Sequence, residues 1–255
     1  MPAAPEAFAF CAAACVYSAV IGTWRRLHPE AAGEENQVAW VLSICNSAFV
    51  TACGVPYALR VLTAGVSIDR CAIHHRPAKP HRLLTSPIPA AHSVFVEDAY
   101  SRSLCAAFAA YLLCDLGYGA RFYRSQCDPF TTVTHHIVYL VLMLQLLFVT
   151  PASVAFGQFA VEELPTFLLS LGHYDKRYRT NWGFGGTFFV LRIAYHGRLV
   201  VFHVLSAWRG GAGHALWPYT TAAMVLHATW FKAWIAGQRK RMAKAKGGKK
   251  KKKVV

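Results

Sequence analysis

The chain has 255 residues, 55% of them hydrophobic, and a formal net charge of +15. Its repeated apolar runs approach the ~20 residues that a bilayer-crossing helix needs. An ordinary soluble helical domain is excluded, because a chain this small could not bury every such helix on all sides. The charge is no nucleic-acid signal, since much of it gathers in one terminal stretch, "QRKRMAKAKGGKKKKKVV".

In chain order, apolar segments fall at 8–24, 38–59, 101–122, 134–148, 151–171, 184–204 and 216–236. They predict an all-α fold: a polytopic transmembrane helical bundle of about seven spans. The organisation expected is an N-terminal transmembrane helix and loop (1–36), a bundle (37–236) and a basic tail (237–255).

The first segment sets the orientation. No Lys or Arg precedes Arg25, whereas Arg25 and Arg26 follow the segment directly. A cleaved signal peptide would carry its positive charge in front. The positive-inside rule therefore places the N-terminus outside the cytosol, and seven crossings place the tail in the cytosol. Arg121, Arg124, Lys176, Arg177 and Arg179 then fall on the cytosolic side, whereas the basic 60–98 connection falls on the other. The lysine-rich end is expected to be a solvated tail drawn to anionic lipid headgroups, at roughly 1 kcal/mol per residue. Lys252 and Lys253 match the dilysine pattern that returns membrane proteins to the endoplasmic reticulum.

Cysteine usage predicts no disulfide framework. Cys11, Cys15, Cys45, Cys53, Cys105 and Cys114 lie in apolar segments and read as small hydrophobes. Cys71 and Cys127 lie in loops on opposite sides. No Cys–His spacing matches a zinc site, so no metal is expected. A di-iron desaturase pattern fails because position 132 is Thr.

The fourth and fifth segments meet near Thr150-Pro151, where Pro can begin a helix but not continue one, so they read as a tight antiparallel hairpin. Residues equidistant from that turn share a depth. His135 then lies level with Thr166, and His136 with Pro165. Glu162 and Glu163 fall within about one turn of the histidines at a rise of ~1.5 Å per residue. Pro165 should also leave the Val161 carbonyl free as an acceptor.

The third segment brings Asp115 to a similar depth. The sixth brings Arg192, with His196 one turn further on. A charge near the bilayer centre costs at least ~2.5–3.5 kcal/mol and faces the bundle interior and a partner. Glu163 or Asp115 is the partner expected for Arg192. The plainer readings place the paired histidines at the membrane interface and leave Asp115 and Arg192 as a packing-level ion pair. His203 and His227 read as helix-packing residues.

The stretch 99–236 resembles the TLC-domain family, which includes ceramide synthases and smaller TLC domain-containing proteins. The residues that carry the resemblance are "CDLGY" around Asp115, "THHIVYLVL" with His135 and His136, "FAVEELPTFL" with Glu163 and Thr166, and "VLRIAYHGR" with Arg192. Where ceramide synthases carry His-Asp-x-x-Asp, this chain has "EELPT". The resemblance implies a six-helix bundle, here with one preceding helix, around a lipid-accommodating cavity.

It also implies a chemistry. Acyl-CoA would be the acyl donor and a sphingoid base the acceptor, with no permanently bound cofactor. His135 or His136 would act as general base or transient acyl acceptor, oriented by Glu163 or Asp115. Arg192, Thr166, Glu162 and His196 would line the lipid cavity or hold its helices together. Two further readings stand beside this one: a non-catalytic membrane protein that binds or senses lipid, and a helper subunit of a membrane complex.

Overall fold

A computed structural model describes residues 5–30, 35–63, 98–150, 152–208 and 216–251. The 64–97 part of the basic connection, Cys71, Pro151, Lys252 and Lys253 lie outside these. Every described element is helical. The elements are α1 (Pro5–Leu27), α2 (Glu35–Thr63), α3 (Ala99–Phe122), α4 (His135–Leu144), α5 (Ser153–Phe159), α6 (Leu164–Tyr174), α7 (Asn181–Phe188), α8 (His196–Trp208) and α9 (Trp217–Lys251).

Three of the apolar segments are composite. α4 is flanked by wide π turns, Pro129–Thr134 and Gln145–Val149. α5 and α6 are joined through a tight 3-10 turn, Ala160–Glu163. α7 and α8 are joined through a π turn, Phe189–Tyr195. The Ala160–Glu163 and Phe189–Tyr195 windings carry Glu162, Glu163 and Arg192, and the Pro129–Thr134 turn leads into His135, a common place for π turns.

Six stretches among the described residues are long and apolar enough to cross a membrane: Pro5–Leu27, Gln37–Thr63, Ala99–Phe122, Thr132–Val149, Ser153–Tyr174 and Asn181–Trp208. The seventh predicted segment is helical but is not among them. It belongs to α9, which runs on through the basic residues to Lys251. The start of the tail is therefore helix rather than the irregular end expected. Its Lys, Arg, Ala, Met and Gln are good helix formers, so no residue between 237 and 244 other than Gly237 opposes continuation.

The outer surface is apolar, with Phe148 70% and Trp208 85% exposed, which suits hydrocarbon as solvent. Inside, α1 packs most extensively on α3, and α2 on α6 and the Ala160–Glu163 turn. The helix of the expected 1–36 unit thus shares one core with the bundle: Tyr17 and Ile21 pack with Leu42, Leu104, Phe108 and Leu112. α3 permits this closeness through its run of small buried residues, Cys105, Ala106, Ala107, Ala109 and Ala110.

Polar bonds between helices fix the arrangement, as packing without a hydrophobic drive requires. Tyr17 Oη donates to Asn46 Oδ1 at 2.9 Å. Ser43 meets Ser170 at 2.8 Å and Ser101 meets Ser153 at 2.9 Å. Asp98 caps α3 by accepting from the Ser101 amide at 2.6 Å and receives the Tyr57 hydroxyl at 2.7 Å. Glu6 pairs with Arg102. All seven described cysteines, Cys11, Cys15, Cys45, Cys53, Cys105, Cys114 and Cys127, are free.

Candidate functional site

The chain turns between α4 and α5 as the hairpin reading requires. The Thr150 amide donates to the Gln145 carbonyl at 2.8 Å, and the Ala152 amide to Leu146 at 3.2 Å. Beyond that turn the 160–166 stretch faces α4 without packing on it, since α4 packs on α3. A cavity of about 440 Å³ opens between them, within the ~300–1,000 Å³ range of small-molecule sites. Asp115, His135, His136, Glu163, Thr166 and Arg192 all line it, with Trp40, Tyr111, Tyr139, Phe188 and Trp230 among the aromatic walls.

His136 is held at both ring nitrogens. Its Nδ1 lies 2.8 Å from the Thr132 carbonyl, which can only accept, so Nδ1 carries a hydrogen. Its Nε2 lies 2.9 Å from Asp115 Oδ2. That contact is an ion pair by distance but is not aligned as a hydrogen bond.

Asp115 is secured on its other oxygen. Tyr123 Oη donates to Asp115 Oδ1 at 2.6 Å and to the Asp115 carbonyl at 3.0 Å. Tyr123 reaches back because α3 ends there, its amide bonded to Gly119 at 3.2 Å. A Cβ on Gly119 would stand 2.5 Å from Cys127 Sγ and 3.2 Å from the Tyr123 ring. Only glycine lets the 123–127 turn lie this close over α3.

His135 is placed differently. Its ring nitrogens make no hydrogen bond to another described residue; the ring packs on Tyr139, centroids 4.4 Å apart, and faces Trp230 at 6.3 Å. Of the paired histidines it is the one with uncommitted nitrogens.

Arg192 crosses to the 160–166 stretch from the Phe189–Tyr195 π turn. Nη2 donates to Thr166 Oγ1 at 2.7 Å and to Glu163 Oε1 at 3.3 Å, and Nε donates to the Glu162 carbonyl at 2.9 Å. Of its two expected partners it takes Glu163, leaving Asp115 to His136. The acceptor that this stretch offers is Glu162's carbonyl. The Val161 carbonyl, expected to be free, receives the Leu164 amide, since a 3-10 turn bonds three residues on.

Glu162 and His196 do not join this lining. Consecutive residues of a 3-10 turn point ~120° apart, so Glu163 faces the large cavity while Glu162 turns toward α8 and α9. His196 Nδ1 lies 2.9 Å from both Glu162 carboxylate oxygens, and its Nε2 2.8 Å from the Thr220 carbonyl. His227 stands beside them, its Nδ1 3.8 Å from Glu162 Oε2. A second cavity of about 80 Å³ adjoins this cluster and shares Glu163 and Arg192 with the first.

Tyr123 and Trp230 escaped the sequence reading, and His227 was read there as a helix-packing residue. Tyr123 lies just past a span and Trp230 reads as an ordinary aromatic. His227 gave the one usable signal, an ionisable side chain inside an apolar segment, which by itself points to function.

No family model, no curated protein and no solved structure matches the chain.

Proposed function

We propose that this chain is a TLC-domain-type membrane protein of lipid metabolism that transfers a fatty acyl group from acyl-CoA to a lipid amine in the endoplasmic reticulum membrane. The observation that carries the reading is the large cavity's division of labour. Aromatic and apolar walls suit an acyl chain, and two imidazoles with a carboxyl stand at the same place.

In this reading His135 is the catalytic residue. The acceptor amine attacks the thioester carbonyl, and a His135 nitrogen takes the proton that the amine loses. The C–S bond breaks, and the CoA thiolate leaves with the proton returned from His135. His136 and Asp115, tied by Thr132 and Tyr123, form a fixed pair beside it and position the ring. Arg192, Glu163 and Thr166 are committed to one another and keep the α6 wall in register. That commitment is also what a non-catalytic lipid holder would show, so the two readings separate on chemistry alone.

The deciding experiment uses full-length protein in vesicles with long-chain acyl-CoA and a sphingoid base, followed by mass spectrometry of the amide. Loss of a general base costs roughly 10²–10⁴-fold in rate, and His135→Ala should show it while retaining co-purified lipid. Wild-type protein that turns over no acyl-CoA with any amine or hydroxyl acceptor would leave lipid holding as the function.

A further inference from the structure

Glu162, His196 and His227 come from three elements and meet beside the smaller cavity. They are 5%, 1% and 4% exposed. One ligand-capable atom from each lies within 4.8 Å of the others. None takes part in the acyl-transfer scheme.

Their hydrogen bonds pose a problem of donors. The Thr220 carbonyl can only accept, so His196 Nε2 carries a hydrogen, and Nδ1 is the atom turned to both Glu162 oxygens at 2.9 Å. Something positive must lie between ring and carboxylate. A single proton would satisfy that pair, but it does nothing for His227. His227 Nδ1 is buried, makes no hydrogen bond and lies 3.8 Å from Glu162 Oε2. A cation bonded to all three groups satisfies every one of these atoms.

The spacing agrees. Ligand atoms bonded at ~2.0–2.1 Å in a tetrahedral site stand roughly 3.3–3.4 Å from one another. The observed 2.9 Å and 3.8 Å separations straddle that value. The bond from His196 Nε2 to Thr220 is the outer-shell support that metal-binding histidines make, fixing the tautomer that leaves Nδ1 as the ligand. Charge agrees as well: Glu162 and Glu163 bring two carboxylates against the one guanidinium of Arg192, leaving a negative charge in a buried place.

We propose that Glu162, His196 and His227 bind a divalent transition-metal ion through one carboxylate and two imidazole nitrogens. Nitrogen with a single carboxylate suits ions of borderline softness such as Zn²⁺, whereas Mg²⁺ and Ca²⁺ favour all-oxygen sites. Three protein ligands leave a fourth position, which faces the smaller cavity and admits water or a polar ligand atom.

The test uses full-length protein without a histidine tag, stripped with a chelator in detergent and titrated with Zn²⁺ or Co²⁺. One Zn²⁺ should bind per chain and raise the melting temperature, and Co²⁺ should develop ligand-field absorption. Glu162→Gln and His227→Gln should each weaken Zn²⁺ by more than the roughly 10–100-fold that loss of an outer-shell partner costs. His135→Gln, at the other cavity, should bind as wild type. Zn²⁺ held by Glu162→Gln and His227→Gln at wild-type affinity would overturn the site. If those variants do not fold, the wild type decides: no Co²⁺ absorption with excess ion overturns it equally. Acyl transfer is not among the readouts, so this result is independent of the catalytic reading.

Discussion

His135 and Arg192 line the same cavity but should fail in opposite ways when removed. The His135 ring makes no hydrogen bond to another described residue, so His135→Ala deletes a reactive group and leaves no polar atom stranded. Arg192 holds Glu163, Thr166 and the Glu162 carbonyl together. Arg192→Ala leaves a largely buried carboxylate unpaired, a loss of about 3–5 kcal/mol. The expected outcome is poor expression and a lowered melting temperature for Arg192→Ala, with a near-normal melt for His135→Ala. Thermal unfolding of both in one detergent checks the contrast. Equal destabilisation would mean that His135 is a packing residue.

At the scale of elements, the close approach of α2 to the Ala160–Glu163 turn sets where both glutamates point. A Cβ on Gly54 would stand 2.6 Å from Ala160 Cβ and 2.7 Å from the Val161 nitrogen. Backbone cannot swing aside as a long side chain can, so Gly54→Ala should behave as overpacking and cost about 1–3 kcal/mol. Gly22 on α1 has open space at the same position, and Gly22→Ala should be neutral or slightly stabilising. A pair of melting curves tests this, and an unchanged Gly54→Ala protein would show that α2 does not bear on the turn. The turn between α4 and α5 was legible in the sequence, because Pro151 and the run of apolar residues leave few alternatives; that α4 packs on α3 rather than on α5 or α6 was not. The 3-10 and π windings were not legible. They follow from which neighbours the side chains must reach, and no local propensity announces them.

For the whole molecule, the span count turns on α9. Six helices are long and apolar enough to cross, while α9 supplies Trp230 to one cavity and His227 to the other. If α9 crosses as the sequence predicts, the two termini lie on opposite sides, with the lysines in the cytosol. In sealed microsomes an epitope on the tail should then be cleaved by added protease while one at the N-terminus is protected. Protection of both would mean six crossings, with α9 lying against the bundle from one side. At the cytosolic boundary expected for the 123–127 turn, the Ser125 hydroxyl and amide hold the Glu35 carboxyl below its ordinary range. That tether stabilises the fold at neutral pH and is lost as pH falls through the lowered value.

By itself, the sequence determined that the chain is helical, roughly where its apolar segments lie, and which ionisable residues share a depth. Depth is a single coordinate, counted along each helix from a turn at a fixed rise, so His135, His136, Asp115 and Glu163 could be brought to one level without any structure. The tertiary fold decided the second coordinate, the direction in which each side chain points about its helix. That direction separated Glu162 from Glu163, gave Arg192 to Glu163 and Asp115 to His136, folded Tyr123 back onto Asp115 and brought His227 to Glu162, far away in the chain. Rotation about a helix axis is set by packing against neighbours and by local tightening or widening of the turn. Both arise only when the helices meet.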